Sequence, residues 1–477
     1  MNRQIRLVGL ISAVLVFALL GNLTYLDLAR QTSLEANPYN VRARQAEADV
    51  HRGQILAGST VIADSVPSTD GNPTFAYQRV YSDGPLYAPV TGFFSYNYST
   101  WAIENSYNSY LVGTDSSQWV QRLIDMASGR NPQGASVVTT IDPKLQQAAA
   151  AALSGYTGGI VVSDPHTGAV KALVTSPSYD PNQMATHDAT AEEDFWASLK
   201  ADDPEASPLT DRASRDPKAP GSTFKMIVAA AALEAGDTAD TMIDTPAELT
   251  YPGSSVTLPN SANCGNTQVT LARALQLSCN TAFANLGRSL GAQAITEQAE
   301  KFGFNSEHLP ELGGLASEYP KPRDTADLMR SAIGQGSVTA TPLQMAMVAG
   351  AFLNGGLLAE PYLVQEVRGP DLKVLYQHET KQSQAVSPTT AQTMKDMMVS
   401  VVEKGLGSPA AIPGVTVGGK SGTAENDESS YGWFVSFSLD PDIVVSVFLE
   451  KSDSTDEGLW GSGDAAPLAK KVMEASR

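Results

Sequence analysis

Hydrophobic and polar positions follow three different patterns along the chain. Residues 7–26 (LVGLISAVLVFALLGNLTYL) are predominantly apolar and contain no charged side chain. Residues 29–140 alternate short apolar runs with polar turns, which is typical of a small domain with mixed elements. Residues 141–477 have strand-like runs near both ends and helix-like runs between them. We therefore predict one apolar helix followed by two folded domains.

The apolar run at the N-terminus has the length of a membrane-spanning helix. Its 20 residues would extend about 30 Å as a helix, the thickness of the hydrocarbon core of a bilayer. Arg3 and Arg6 precede the run, and basic residues tend to stay on the cytoplasmic side. We predict a cytoplasmic tail over 1–6 and a transmembrane anchor over 7–28, which places the later residues outside the cytoplasm. The alternatives are a buried core helix and a cleaved signal peptide, but no A-x-A-like cleavage site follows the run.

Residues 29–140 are expected to form a smaller mixed α/β domain beside the anchor, which we call the pedestal. Strand-like runs occur at Gln54–Leu56, Thr60–Asp64 and Phe75–Tyr81. The segment Ser95–Tyr110 is rich in Tyr, Asn and Ser, which suits either a binding surface or the packed edge of an irregular domain. We favour the packed edge.

Residues 141–477 predict an α+β domain. Asp142-Pro143 is a helix start, because Asp caps the first turn and proline suits the first helical position. Two strand runs follow, at Gly159–Ser163 and Ala169–Val174. The later runs are helices at Ser222–Leu233, Thr270–Leu290, Thr325–Ile333, Pro342–Asn354 and Pro388–Lys404, strands at Val415–Ala424, Gly432–Ser438 and Ile443–Leu449, and a helix after Ala466. Strands, then helices, then strands predict an antiparallel sheet flanked by helices.

Composition and charge exclude several classes of function. The net charge of −19 repels a phosphate backbone, so no nucleic-acid partner is expected. Two cysteines are too few for a disulfide-dense scaffold or for a site with four cysteine ligands. The five histidines are scattered and form no H-E-x-x-H motif. We therefore expect neither a metal nor another cofactor.

The first candidate for chemistry is the S-x-x-K pattern at Ser222 and Lys225. Pro220-Gly221 introduces an apolar helix, so Ser222 lies at its N-terminus and Lys225 follows one turn later on the same face. Burial and the positive end of the helix dipole would both lower the pKa of Lys225. A neutral Lys225 in reach of the Ser222 hydroxyl could remove its proton and create a nucleophile. The pattern by itself is weak, because it also occurs by chance in long chains.

Two further motifs follow along the chain. Leu277–Thr281 (LSCNT) interrupts a helical pattern, and Ser278 and Asn280 suit either a loop between helices or an ordinary helix cap. Val417–Ala424 (VGGKSGTA) is a strand pattern that carries Lys420. Its small residues would let the backbone of a ligand lie along the strand edge, or would let the strand pack closely on a helix.

The three motifs together resemble the signature of the penicillin-binding proteins and serine β-lactamases, which is S-x-x-K, S-x-N and K-[TS]-G. Here they stand in the same order as Ser222–Lys225, Ser278–Asn280 and Lys420–Gly422. The resemblance covers about residues 142–477, and His51–Ile55 resembles the Arg-Gly segment that leads into the pedestal of class B penicillin-binding proteins. Three shorter stretches extend it: Tyr179–Asn182, Gly334–Gly336 and Gly432–Phe434.

The resemblance implies a transpeptidase fold over 141–477 and a peptidoglycan D,D-transpeptidase activity without a cofactor. Ser222 would attack the carbonyl of a D-Ala-D-Ala stem peptide and become acylated, with Lys225 as the base. Ser278 would relay a proton to the leaving D-alanine, and Asn280 would hold Lys225 and the substrate amide. The acyl group would then pass to an amine of a second stem peptide, and β-lactams would be bound by the same enzyme.

The resemblance assigns the third motif to substrate binding. Lys420 would lower neighbouring pKa values and attract the substrate carboxylate. Ser421-Gly422-Thr423 would bind the substrate, with the hydroxyls of Ser421 and Thr423 on that carboxylate. The backbone N–H groups of Ser222 and Thr423 would form the oxyanion hole.

The resemblance also implies a partner and a role in cell wall synthesis and division. A glycosyltransferase domain needs about 200 residues, more than 29–140 provide, and its E-D-x-x-F-x-x-H motif is missing. Glycan strands would therefore come from a membrane glycan polymerase. Outside the cytoplasm, Cys264 and Cys279 could form a disulfide that restrains the Ser278 loop, or they could remain two separate buried thiols.

Other functions remain alternatives at this point. Gly414–Ser421 matches the phosphate-binding pattern G-x-x-x-x-G-K-[ST], but a turn rather than a helix is expected after it. A class A β-lactamase would carry E-x-x-L-N, and residue Gly350 occupies the Glu position before Leu353-Asn354. A D,D-carboxypeptidase and a non-catalytic, penicillin-recognising wall scaffold are further alternatives. Replacing Ser222 by Ala separates an enzyme from a scaffold.

Overall fold

The computed structural model describes residues 3–30, 50–71, 75–129, 133–200, 206–265, 267–425, 430–454 and 458–477. The helices are α1 Arg3–Ala29, α2 Gly84–Thr91, α3 Ile103–Ser106, α4 Asn108–Leu111, α5 Trp119–Ser128, α6 Pro143–Leu153, α7 Ala189–Leu199, α8 Lys225–Glu234, α9 Leu271–Leu277, α10 Asn280–Lys301, α11 Thr325–Ser331, α12 Pro342–Leu353, α13 Pro388–Lys404 and α14 Ala466–Ala475. The strands are β1 Ile55–Ala57, β2 Thr60–Pro67, β3 Tyr77–Tyr81, β4 Ser136–Thr139, β5 Tyr156–Ser163, β6 Val170–Ser176, β7 Met242–Asp244, β8 Glu248–Thr250, β9 Thr257–Pro259, β10 Gln268–Thr270, β11 Leu357–Ala359, β12 Val364–Arg368, β13 Val374–Gln377, β14 Gln382–Gln384, β15 Val417–Glu425, β16 Ser430–Leu439 and β17 Asp442–Ser452.

The N-terminal helix α1 confirms the predicted apolar helix. An 18-residue window within its stretch Gln4–Leu26 has a mean hydropathy of 2.2, and none of this window is buried within the protein. A helix of 23 residues is long enough to cross the hydrocarbon core of a bilayer. The helix is thus compatible with a single-pass membrane anchor.

The pedestal is built on a six-stranded sheet in the order β13-β12-β4-β1-β2-β3. The three strands that the sequence predicts in this region are present as β1, β2 and β3. Two strands of the sheet, β12 and β13, come from residues 364–377, which the sequence assigned to the second domain. Strand β12 pairs with β4 and buries Val364 and Val367. Without β12, β4 would expose the unpaired backbone groups of a sheet edge.

A buried ionic cluster holds the pedestal together. Glu104 is fully buried and accepts hydrogen bonds from Arg52 Nε and Arg79 Nε, each at 2.6 Å. The hydroxyl of Tyr81 donates to the same carboxylate at 3.0 Å. Burial raises the pKa of Glu104, but the two guanidinium groups outweigh it and hold this pKa below its ordinary value. Loss of one partner would leave a buried charge uncompensated, which destabilises by about 3–5 kcal/mol.

The second domain contains a five-stranded antiparallel sheet in the order β15-β16-β17-β5-β6. Its side chains alternate between two cores: Val444 and Phe448 of β17 belong to one, and Val445 and Val447 to the other. Helices α8 and α12 contribute to the first core, and α6 and α14 to the second. The predicted α+β architecture is confirmed, and β15 lies at the edge of the sheet.

Side-chain amides join the two domains. Asn182 donates from Nδ2 to the carbonyl of Tyr81 at 2.9 Å, and its Oδ1 accepts from Tyr81 N–H at 2.8 Å. Gln146 donates to the carbonyl of Leu86 at 2.9 Å. These bonds fix the pedestal against the sheet domain.

Candidate active site

The turn that carries Ser222 fits closely between two other segments. Gly221–Phe224 forms a 3₁₀ turn that leads into α8. Gly221 has a φ of +52°, and a Cβ there would lie 2.5 Å from the carbonyl oxygen of Thr423. Its N–H donates to the carbonyl of Gly334 at 2.9 Å. Only glycine suits this position, which sets half-buried Ser222 beside the edge strand β15.

The side chain of Lys225 is fully buried and points to the loop between α9 and α10. Its Nζ donates to Asn280 Oδ1 at 2.7 Å and to the carbonyl of Ser278 at 2.8 Å, and it lies 3.3 Å from Ser278 Oγ. The sequence predicts that the amine of Lys225 can reach the Ser222 hydroxyl. No hydrogen bond joins Ser222 Oγ to Lys225 in the described part of the chain, because the α9–α10 loop supplies the acceptors. Hydrogen bonds between catalytic groups often form only in the substrate complex.

Ser278 occupies a strained backbone position. It ends α9 with a φ of 59° and a ψ of 42°, in the left-handed region that favours glycine. Such a residue costs about 1–3 kcal/mol and is common at active sites. The left-handed turn interrupts the helical pattern and brings the Ser278 hydroxyl between two lysines.

Lys420 provides the second buried side-chain amine of the site. Its Nζ donates to Ser278 Oγ at 2.9 Å and to the carbonyl of Ser421 at 2.7 Å. Burial lowers the pKa of Lys420 to about 7. Burial, and next the charge of Lys420, lower the pKa of Lys225 well below its ordinary value. Both effects favour the neutral form of Lys225.

The third motif lies on β15, which pairs with β16 on one side and has no strand partner on the other among the described residues. Gly422 packs against the Ser222 turn, since a Cβ there would lie 2.8 Å from the carbonyl oxygen of Pro220. The side chain of Thr423 is half-buried, and its Oγ1 accepts from Gly461 N–H at 3.4 Å. Edge strands pair readily with an extended peptide.

A second set of contacts holds the Ser278 loop in place. Cys264 and Cys279 are joined by a disulfide. Asn260 Oδ1 accepts from the N–H of Thr281 at 3.0 Å, and Asn260 Nδ2 donates to Thr281 Oγ1 at 2.9 Å. Asn280 Nδ2 donates to the carbonyl of Pro259 at 3.0 Å. The sequence did not point to Asn260, because a single asparagine in a loop carries no signal of this contact.

The structure thus brings the predicted motif residues into one site. A serine at a helix start, a neutral amine, a shared hydroxyl and a free strand edge can perform acyl transfer. No group of three or more His, Cys, Asp or Glu that could hold a metal occurs among the described residues. The phosphate-binding alternative fails, because Lys420 and Ser421 lie inside β15 rather than before a helix.

Comparison with known protein families decides the assignment. Residues 158–474 match the penicillin binding protein transpeptidase domain. The chain belongs to this transpeptidase family. Residues 52–137 of this family member match the penicillin binding protein A dimerisation domain.

Individual relatives extend the similarity over the whole chain. Peptidoglycan D,D-transpeptidase PbpA of Mycolicibacterium smegmatis is 39% identical, over 100% of this chain and 99% of the relative. Its counterpart of Mycobacterium tuberculosis is 38% identical, also over 100% and 99%. The structure of penicillin-binding protein A from M. tuberculosis as a ceftriaxone acyl-enzyme complex has a TM-score of 0.85 and 39% identity, and the match covers 90% of this chain and 99% of that one.

Proposed function

We propose that this chain is a membrane-anchored peptidoglycan D,D-transpeptidase that cross-links stem peptides through an acyl-enzyme at Ser222. The observation that carries the proposal is the hydrogen-bonded connection from Lys225 through Ser278 to Lys420 beside the free edge of β15. Membership of the transpeptidase family supports it. The same serine would be acylated by β-lactams.

Acylation needs a base, a proton relay and an oxyanion site. Neutral Lys225 takes the proton of the Ser222 hydroxyl as Oγ attacks the carbonyl carbon between the two D-alanines of a donor stem. The backbone N–H groups of Ser222 and Thr423 stabilise the oxyanion that develops. Ser278 donates its proton to the leaving nitrogen and regains one from protonated Lys225. The peptide bond breaks, D-alanine departs, and Lys225 is neutral again.

The strand edge and its charges position the donor stem. The substrate backbone lies along β15, and the hydroxyls of Ser421 and Thr423 bind its terminal carboxylate. Lys420 attracts this carboxylate and keeps Lys225 neutral through its charge. Asn280 holds Lys225 and the substrate amide.

Deacylation completes the cross-link. The amine of an acceptor stem attacks the ester carbonyl of the acyl-enzyme, and Lys225 accepts a proton from this amine. The ester bond breaks, and Ser222 Oγ regains this proton from Lys225. One amide bond is broken and one is formed, so the reaction needs no cofactor.

The anchor and the charge before it support a topology. Arg3 precedes the span Gln4–Leu26, and Arg6 lies in its first turn. Because basic residues favour the cytoplasmic side, the N-terminus stays in the cytoplasm and both domains lie outside it. The cytoplasmic tail corresponds to 1–6, the anchor to 7–28, the pedestal to 29–140 and the transpeptidase domain to 141–477, from which residues 364–377 join the pedestal sheet. A separate membrane glycan polymerase supplies the glycan strands, which places the protein in cell wall synthesis.

The test is reconstitution of the full chain in detergent with a glycan polymerase and a lipid-linked disaccharide pentapeptide. We expect release of D-alanine together with dimeric muropeptides, and neither product with Ser222→Ala. Release of D-alanine without dimers would instead assign a carboxypeptidase. Wild-type activity in Ser222→Ala would refute the acyl-enzyme.

A further inference from the structure

A cavity of about 240 Å³ lies between the pedestal and the transpeptidase domain. None of the residues of the three motifs lines it. The pedestal contributes Ala88, Phe93 and Trp101 to its wall, and the transpeptidase domain contributes Trp196 and Arg215. The cavity is therefore separate from the acylation site and is formed by both domains together.

Aromatic rings give this junction cavity flat apolar walls. The ring of Phe93 meets the rings of Tyr179 and Trp196 edge to face, with centroids 6.2 and 6.0 Å apart. Trp101 is 41% exposed and stands at the opening. Pockets for drug-sized ligands typically have volumes of about 300–1,000 Å³, so this one suits a small molecule with a flat apolar body.

Arg215 supplies a cation with free donors at the same cavity. Its guanidinium carbon lies 4.3 Å from the ring centroid of Trp101, and its Nε donates to the carbonyl of Gly313 at 3.0 Å. Among the described residues, Nη1 and Nη2 of this half-buried side chain have no hydrogen-bond partner. A guanidinium presents five donors, so four N–H groups remain for a ligand.

The acidic residue in the wall does not occupy these donors. Asp211 lines the cavity, but its Oδ1 accepts from the N–H groups of Ala213 and Ser214, and its Oδ2 accepts from Ser214 Oγ. No ion pair joins Asp211 to Arg215 in the described part of the chain. Paired N–H groups of arginine match the two oxygens of a carboxylate.

We propose that the junction cavity binds a small carboxylate with a flat, apolar or aromatic body. The carboxylate lies on the Nη groups of Arg215, and the ring lies between Trp101 and Trp196 against Phe93. Because both domains form the wall, the ligand favours the arrangement in which the pedestal and the transpeptidase domain are packed together.

The test uses 2-naphthoate as the probe and its neutral analogue naphthalene-2-carboxamide as the control. Both are titrated calorimetrically into the full chain in detergent, with the detergent alone as the blank. We expect saturable binding of naphthoate at one site. The affinity for the carboxamide should be lower by a factor of about ten or more, because a charge-assisted pair is lost.

Two variants locate the probe. Arg215→Gln removes the cation and is expected to weaken naphthoate about tenfold or more. Ala88→Leu fills the cavity and is expected to abolish binding of both probes. Acylation by a fluorescent penicillin, which depends on Ser222, reports that each variant is folded. The proposal would be overturned if naphthoate showed no saturable binding or if both probes bound with equal affinity. It would also be overturned if a folded Arg215→Gln or Ala88→Leu variant bound naphthoate as the wild type does.

Discussion

Lys225 Nζ lies 2.7 Å from Asn280 Oδ1, so the amine that we propose as the base for Ser222 is held by a neutral amide rather than by a carboxylate. A carboxylate at this distance would favour the protonated ammonium. Burial and Lys420 lower the pKa of Lys225, and a neutral neighbour leaves this effect intact. An amide at position 280 thus favours the neutral form of Lys225 more than a carboxylate would.

Asn280→Asp tests this relationship. The new carboxylate raises the pKa of Lys225, and once this pKa exceeds the pH, each further unit lowers the fraction of free amine about tenfold. We expect acylation by a fluorescent penicillin to slow about tenfold or more at pH 7, and to recover as the pH rises. The measurement is the acylation rate constant against pH, with the exposed Asn263→Asp as the control for added charge. An unchanged pH profile in Asn280→Asp would contradict this role of the amide.

The buried ammonium of Lys420 makes stability depend on pH. Its pKa is about 7 in the folded protein and 10.5 ordinarily, so between these values the unfolded chain binds a proton that the folded chain does not. Stability therefore rises with pH in this window and is lost as the pH falls through it. In Lys420→Met this contribution is absent. We expect the thermal midpoint of the wild type, relative to Lys420→Met, to increase between about pH 7 and about pH 9. Parallel curves for the two proteins would show that Lys420 keeps its ordinary pKa.

The disulfide is expected to stabilise the fold and to restrain the Ser278 loop. It joins Cys264 to fully buried Cys279 across 15 positions, and a loop of this size stabilises by about 3 kcal/mol. The double variant Cys264→Ala, Cys279→Ala should unfold at a lower temperature and be acylated more slowly. A phosphine reductant should affect the wild type in the same direction and leave the double variant unchanged. Equal effects of the reductant on both proteins would show that it does not act through the Cys264–Cys279 disulfide, and would contradict this prediction.

Asn260 is expected to be a positioning residue. Its amide holds Thr281 at two atoms, next to the residue that binds Lys225. Asn260→Ala should lower the maximal acylation rate about tenfold to a hundredfold, because displaced catalytic groups lose their geometry. The penicillin concentration that gives half the maximal rate should change little, and Asn263→Ala should behave as the wild type. A loss confined to thermal stability would reduce Asn260 to a structural residue.

Local patterns predicted the strands of the five-stranded sheet and most helices of the second domain. Asp142 caps α6 through hydrogen bonds from the N–H groups of Lys144 and Leu145 at 2.8 and 3.3 Å, as its position before Pro143 predicts. The apolar runs of β16 and β17 are long because both sheet faces are covered. Such signals lie within a few residues of each other and can be read without the fold.

Contacts between distant segments escaped prediction. Strands β12 and β13 join the pedestal because β12 pairs with β4, and nothing in the pattern of Val364–Arg368 names this partner. Strands β8 and β9 are short and polar, with no alternation to mark them. The motifs identified Ser222, Lys225 and Ser278 as candidate site residues. Only the fold shows that the buried amine of Lys225 faces the Ser278 loop and that Asn260 supports this loop.

The most direct test of the account is the intact mass of the full chain after incubation with a fluorescent penicillin. We expect one adduct per chain, located by peptide mapping on Ser222, and no adduct on Ser222→Ala. An adduct on another residue, or one that persists in Ser222→Ala, would contradict the assignment of Ser222 as the nucleophile.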